Sequence, residues 1–372
     1  MVMAAEEFKQ FVKSNGVKKA AKEVDVVTTG TFGAMCSSGA YFNFGHADPP
    51  IKMQRVWLDG IPAYGGLAAV DAYLGATELD ESNNMFHGGA HVIEDLVRGK
   101  AVRLKATGYG TDCYPRKEID TYVSLKTMNQ AVLFNTRNCY QNYAVATNAS
   151  GKTLYTYMGK LLPEFGNATF SSAGELSPLL NDPYYRTIGI GTRIFIGGAT
   201  GFVIWEGTQF NPGAPRTPGG VPKRPAGSIA VIGDLKQMST EFLRGLTFAK
   251  YGTSLGLGIG APIPILDEEM ARMCAVTNDQ IITAAFDYSQ PTRSRTVLRE
   301  VTYAELRSGE ITIKGKEVPT SSLSSLYKAR QISEILKSQI QKGAFMIEKP
   351  VQNFSMDRVF KPLDIRTEKE AT

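Results

Sequence analysis

The sequence predicts a mixed α/β fold, and three observations carry that expectation. Helical and β-rich runs alternate along the 372 residues, the pattern of layered mixed folds. Hydrophobic residues make up 43% and charged residues 21%, which suits a folded chain with a sizeable core. No internal repeat interrupts the chain, and an amphipathic run closes it. One large domain over residues 1–320 is therefore expected, followed by a short helical C-terminal extension over residues 321–372.

In chain order, residues 5–23 read as a helix, with Phe8, Phe11 and Val12 spaced for one buried face. Residues 24–28 are a short β-branched run, and residues 29–40 a small-residue loop that holds Cys36. Residues 92–104 read as helix then strand, and Gly108-Tyr109-Gly110-Thr111-Asp112-Cys113 as a turn-rich loop ending in a thiol. Residues 126–134 fit helix or strand equally, and Asn135-Thr136-Arg137-Asn138-Cys139 reads as a third polar loop bearing a cysteine. Residues 192–196 and 202–206 form a hairpin around a glycine-rich turn. The Pro- and Gly-dense residues 211–227 carry Arg216, Lys223 and Arg224, and read as a surface connection or as a lid whose cations meet a carboxylate.

A helix is expected over residues 239–251, then a small-residue stretch over residues 252–264. Cys274 falls in a helical run over residues 268–276, beside Met270 and Met273. Residues 310–318 read as a hairpin around Lys314-Gly315-Lys316. Residues 321–342 read as an amphipathic helix with Leu323, Leu326, Tyr327, Ile335 and Ile340 inward, and the tail after residue 365 as frayed.

Composition excludes several functions. The net charge of +5 is spread along the chain and no nucleic-acid module is visible, so no nucleic-acid partner is expected, while anionic substrates suit the mildly basic surface. The N-terminus lacks the apolar core of a signal peptide, and no run reaches the roughly 18 apolar residues of a membrane helix. A soluble, cytoplasmic protein without a membrane partner is expected. Cys36, Cys113, Cys139 and Cys274 are too few and too scattered for a disulfide scaffold or a C-x-x-C site.

Gly151-Lys152-Thr153 lacks the upstream glycine of a phosphate loop, since Ala146 stands there. Gly256-Leu257-Gly258-Ile259-Gly260 lacks the dinucleotide spacing. His87, His91 and Glu94 share a helical spacing, but Gly88 and Gly89 weaken the helix, so no metal site is assigned and His91 reads as structural or substrate-bonding. His46 is a lone acid/base candidate. The thiols are the better signal. Cys113 precedes Arg116 and Lys117, and Cys139 follows Arg137; nearby cations favour the reactive thiolate. Cys36 lies among Thr, Ser and Gly donors.

Thr31-Phe32-Gly33-Ala34-Met35-Cys36-Ser37-Ser38-Gly39 and Gly110-Thr111-Asp112-Cys113-Tyr114-Pro115 resemble the cysteine pair of the homocysteine biosynthesis family. Gly88-Gly89-Ala90-His91, Asn181-Asp182-Pro183-Tyr184 and Gly207-Thr208-Gln209-Phe210 extend the resemblance over residues 8–345. The family comprises L-aspartate semialdehyde sulfurtransferases of methanogenic archaea and some anaerobic bacteria. The resemblance implies a catalytic domain over residues 1–320 that transfers sulfide-derived sulfur to aspartate semialdehyde with reduction to homocysteine, a precursor for methionine. It makes Cys36 and Cys113 the leading catalytic pair and Cys139 an accessory. The expected course holds a persulfide on Cys113 and uses Cys36 to resolve it. No nicotinamide or flavin motif is present, so electrons are expected from outside, from the ferredoxin-like iron–sulfur partner usual in the family. An alternative places a [4Fe–4S] cluster on Cys36, Cys113 and Cys139; another makes the chain a non-catalytic sulfur or cluster carrier. The substrate carboxylate calls for a cation, with Arg116, Arg137, Arg193 and Arg216 as candidates. Many relatives carry a C-terminal pair of nucleotide-sensing CBS modules, and the expected form here lacks it.

Overall fold

The predicted N-terminal helix breaks at Gly16, whose φ of 82° no helix interior accommodates, into Ala5–Asn15 and Val17–Glu23. Phe8 is buried, while Phe11 and Val12 pack half-buried against the main core. The computed structural model describes residues 1–82, 85–292 and 295–365, so the frayed tail expected after residue 365 lies outside the described residues.

The largest sheet among the described residues has 13 strands, and every hydrogen-bonded neighbour in it is antiparallel. From one edge it runs Leu243–Phe248, Gly252–Gly260, Arg193–Ile196, Ala199–Glu206, Ile229–Asp234 and Gln130–Asn138. It continues through Ser38–Asn43, Asp71–Gly75, Ile61–Tyr64, Arg55–Leu58 and Val102–Thr107 to Glu118–Val123. Thr31–Ala34 branches off against Gly252–Gly260. The outer strand Val102–Thr107 buries every second residue, the alternation of a sheet with one wet face. A second sheet of six strands includes Val145–Thr147, Ala168–Phe170, Ile282–Asp287 and Lys316–Ser322, with its own core around Phe170, Ile281 and Tyr303. The chain is thus mixed α/β in one domain with a short C-terminal helix.

Both predicted hairpins form. Arg193–Ile196 pairs with Ala199–Glu206, and Glu310–Ile313 with Lys316–Ser322 across Lys314 and Gly315, both at positive φ. The helix holding Cys274 spans Glu268–Cys274. Three other expectations are corrected. The presumed loop at residues 29–40 is mostly strand, with Cys36 in the turn between Thr31–Ala34 and Ser38–Asn43. The polar segment at residues 135–139 is the end of strand Gln130–Asn138.

The third correction is the largest. Residues 239–251 contain the strand Leu243–Phe248 in place of a helix, paired with Gly252–Gly260, all nine residues of which are buried. The glycines there reflect close packing. A Cβ on Gly258 would meet Ile332 Cδ1 at 2.8 Å, and one on Gly260 would meet Ile332 Cγ2 at 2.5 Å, so glycine lets helix Leu326–Gln341 lie directly on the strand. That helix buries Ala329, Ile332, Ser333 and Leu336, and Tyr327, expected inward, is exposed. Among the described residues no helix is long and apolar enough to cross a membrane.

Candidate active site

Where the two sheets meet, a cavity of about 350 Å³ opens beside Cys36. The turn between Thr31–Ala34 and Ser38–Asn43 supplies Met35, Cys36 and Ser37. Leu323 and Ser324 close it from the segment after Lys316–Ser322. Much of the lining is aromatic, with Tyr140, Tyr143, Tyr157 and Tyr251. Ser171, Ser172, Ser177 and Ser324 add hydroxyls.

Arg137, Asn138 and Cys139 all line this cavity. Consecutive strand residues normally point to opposite faces. Here the register against Ile229–Asp234 shifts between Asn135 and Asn138, and Cys139 takes a φ of 50°. The bulge and the left-handed residue break the alternation and bring three successive residues to the edge of one chamber. Asn135 anchors the bulge: its Oδ1 accepts from the Arg137 backbone N–H at 2.8 Å and its Nδ2 donates to Ser38 Oγ at 2.6 Å.

Among the described residues lining the cavity, Arg137 is the one charged side chain, and no ion pair engages it. The other three arginine candidates are held elsewhere. Arg116 donates to the carbonyls of Pro49 and Asp48, both at 2.8 Å. Arg193 pairs with Glu348 at 3.6 Å and stacks over Phe202. Arg216 donates to Pro183 O at 3.0 Å and to Gly220 O at 2.8 Å, which ties residues 211–227 into a fixed connection and removes the lid reading. Neither histidine candidate reaches the chamber. His46 stacks on Tyr114, and His91 stacks on His87 with Nε2 3.3 Å from Thr247 Oγ1.

The cysteines differ sharply in surroundings. Burial pushes the Cys36 thiol up, while a hydrogen bond from Ser254 Oγ at 3.2 Å and the Arg137 charge pull it back, leaving it above an ordinary thiol. Burial raises Cys139 further, with nothing to oppose it. Cys274 is buried away from the chamber, donates to Asn181 O at 3.3 Å and is pushed up to about 12 by burial. Cys113 is exposed, with Sγ 3.6 Å from Thr111 Oγ1.

Cys36 and Cys113 are not brought together. Four antiparallel steps separate Ser38–Asn43 from Val102–Thr107, so the two strands run in the same direction. Cys36 precedes the first and Cys113 follows the second, beyond Asn43 and beside His46 and Pro49. A six-residue strand rises on the order of 20 Å, so the thiols stand at opposite ends of the sheet. This corrects the expected relay in which Cys36 resolves a persulfide on Cys113. It also means that Cys36, Cys113 and Cys139 do not surround one point, and the residues present do not fit a cluster held by all three. Among the described residues no group of three or more His, Cys, Asp or Glu side chains is placed to hold a metal ion.

Sequence reasoning missed Ser254 and the tyrosine wall. Ser254 lies in a glycine-rich strand with no local sign of chemistry, whereas Tyr140 directly follows Cys139, with Tyr143 four residues after it, so both were visible as aromatics near a thiol.

Comparison with known proteins matches residues 1–347 to the family described as homocysteine biosynthesis enzyme, sulfur-incorporation. The L-aspartate semialdehyde sulfurtransferase of Methanosarcina acetivorans is 53% identical over 96% of this chain and 69% of its own. That of Methanocaldococcus jannaschii is 51% identical over 94% of this chain and 70% of its own. No solved structure matches.

Proposed function

This chain belongs to the homocysteine biosynthesis enzyme family, and on that premise we propose that the chamber is the active site of an L-aspartate semialdehyde sulfurtransferase in which Cys36 carries the sulfur. The carrying observation is that Cys36 and an unpaired cation, Arg137, line one cavity of small-molecule size. Arg137 binds the substrate carboxylate through its planar fork of donors. The aldehyde end then lies among Cys36, the serines and the tyrosine wall.

The terminal sulfur of a Cys36 persulfide attacks the aldehyde carbon. The C–S bond forms, the carbonyl π bond breaks, and the oxygen takes a proton. The Cys139 thiol, in the same chamber, attacks Cys36 Sγ; the S–S bond breaks and a Cys36–Cys139 disulfide forms as the sulfur leaves on the substrate carbon. Loss of water gives a thioaldehyde. Two electrons and two protons reduce that to homocysteine. Sulfide then attacks Cys36 Sγ of the Cys36–Cys139 disulfide; the S–S bond breaks, the Cys36 persulfide forms and Cys139 leaves as the thiol, so the disulfide is the oxidant that raises sulfide to the persulfide level and the net demand per turnover is two electrons. A ferredoxin-like iron–sulfur protein is the fitting source, in a reducing cytoplasm where thiols stay free. Cys113 lies outside the chamber step in this reading.

The test is anaerobic. Purified protein is incubated with aspartate semialdehyde, sulfide and a low-potential reductant, and homocysteine is detected by mass. The intact protein forms it, and Cys36→Ala loses at least about a thousandfold of the rate. Absence of product from the intact protein, with a ferredoxin-like donor also supplied, contradicts the reading.

A further inference from the structure

A second cavity, of about 250 Å³, shares Tyr140, Tyr143, Tyr157 and Gln209 with the Cys36 chamber, so the two are neighbours across those residues. Among the described residues lining it, Arg295 is the one charged side chain, and there is no Asp or Glu. The Arg295 guanidinium lies over the Tyr288 ring, 3.9 Å from its centre. The ring face holds the cation without taking any of its hydrogen bonds. Nε is buried without an acceptor, whereas the terminal nitrogens keep accessible surface and bond no described residue. No ion pair with a described residue neutralises the charge. Tyr288 in turn meets Tyr157 hydroxyl to hydroxyl at 3.0 Å, which ties the seat of Arg295 directly to a side chain of the Cys36 chamber.

The surroundings indicate which anion fits. One guanidinium balances one negative charge, and the rest of the lining adds tyrosines and the rings of Phe286 and Phe360. Such walls suit a small, soft, singly charged ion and lack the several cations that a phosphate dianion calls for. In the proposed turnover the substrate carboxylate occupies Arg137, and the remaining anionic reactant is hydrosulfide, which has to reach Cys36. We propose that this cavity is a second anion site, in which Arg295 holds hydrosulfide, the sulfur donor, beside the Cys36 chamber. The donor's identity rests on the sulfurtransferase reading; a site for a soft monoanion rests on the cavity.

Kinetics on the full chain, with sulfide and aspartate semialdehyde varied in turn, separate the two sites. Arg295→Ala raises KM for sulfide by about 10- to 100-fold, the loss of one charge-assisted contact, and leaves kcat and KM for the aldehyde within about twofold. Arg295→Gln, which removes the charge but keeps a long side chain, raises the same constant and decides the matter if the alanine variant does not fold. Thiocyanate, a soft monoanion, probes the site without turnover. Its binding is read from its C≡N infrared band in the Arg137→Ala protein, where the chamber's own cation is gone, and disappears when Arg295→Ala is added. An unchanged KM for sulfide in the neutral variants, KM values for sulfide and aldehyde that rise together, or thiocyanate that stays bound without Arg295 overturns the proposal. Absence of homocysteine formation alongside Arg295-dependent thiocyanate binding sinks the sulfurtransferase reading and leaves the anion site standing.

Discussion

The Cys36 turn and the Cys113 loop are alike in sequence and opposite in setting. Each follows a strand, and each thiol sits among small or polar neighbours. The sheet then places Cys36 at a chamber with a cation and a donor hydroxyl, and Cys113 on open surface at the other end of the strands. Local chemistry nominates a reactive thiol, but tertiary placement decides whether it can meet a substrate. The chamber also carries a handicap, because burial holds Cys36 toward the neutral thiol. Its reactivity depends on the groups that oppose burial, the Ser254 hydroxyl, its own backbone N–H and the Arg137 charge.

The comparison breaks most readily at the thiols. Against the loss expected for Cys36→Ala, Cys113→Ala retains homocysteine formation from free sulfide within about tenfold of the intact protein. Equal loss in both variants would mean that the two ends of the sheet meet in the working enzyme, and would remove the separation on which the account stands.

A smaller effect separates the arginines. Arg137→Ala raises KM for the aldehyde by roughly 10- to 100-fold with a lesser change in kcat, since it removes carboxylate binding. Arg216→Ala instead lowers stability by about 1–3 kcal/mol, because it strips donors from the carbonyls of Pro183 and Gly220, and leaves KM near its original value. A KM effect of the same size at Arg216 would place the carboxylate elsewhere.

The smallest effect is on pH. Alkylation of Cys36 follows its thiolate, so its rate climbs with pH and has its midpoint above that of an ordinary thiol. Removing the Arg137 charge takes away a group that favours thiolate, so Arg137→Ala moves the midpoint further up. Peptide mapping after iodoacetamide at several pH values reads both sites, and Cys113 is modified first because it is exposed. A Cys36 midpoint below the ordinary thiol range, or one that falls in Arg137→Ala, contradicts the electrostatics described.

How much of this was legible depended on range. The cysteines in turns, both hairpins and the C-terminal helix follow from short-range patterns, and the sequence showed them. The four arginines could not be ranked, because the groups that engage Arg193 and Arg216 lie far away in the chain, at Glu348 and Pro183. The strand Leu243–Phe248 was read as helix because its partner, Gly252–Gly260, looked like a loop. Its glycines carry no β-branched signal, and they are explained only by Ile332 of a later helix pressing on Gly258 and Gly260. The chamber depends on a bulge that appears in the register with Ile229–Asp234 and in no local motif.

The most direct test of the central claim is to locate the sulfur. The anaerobic protein is loaded from a polysulfide donor, trapped by alkylation, digested and mapped by mass, before and after one turnover with aspartate semialdehyde. The account predicts one additional sulfur on the Cys36 peptide, consumed as homocysteine appears, with any sulfur on the Cys113 peptide unchanged. Sulfur consumed from Cys113 while Cys36 carries none would contradict it.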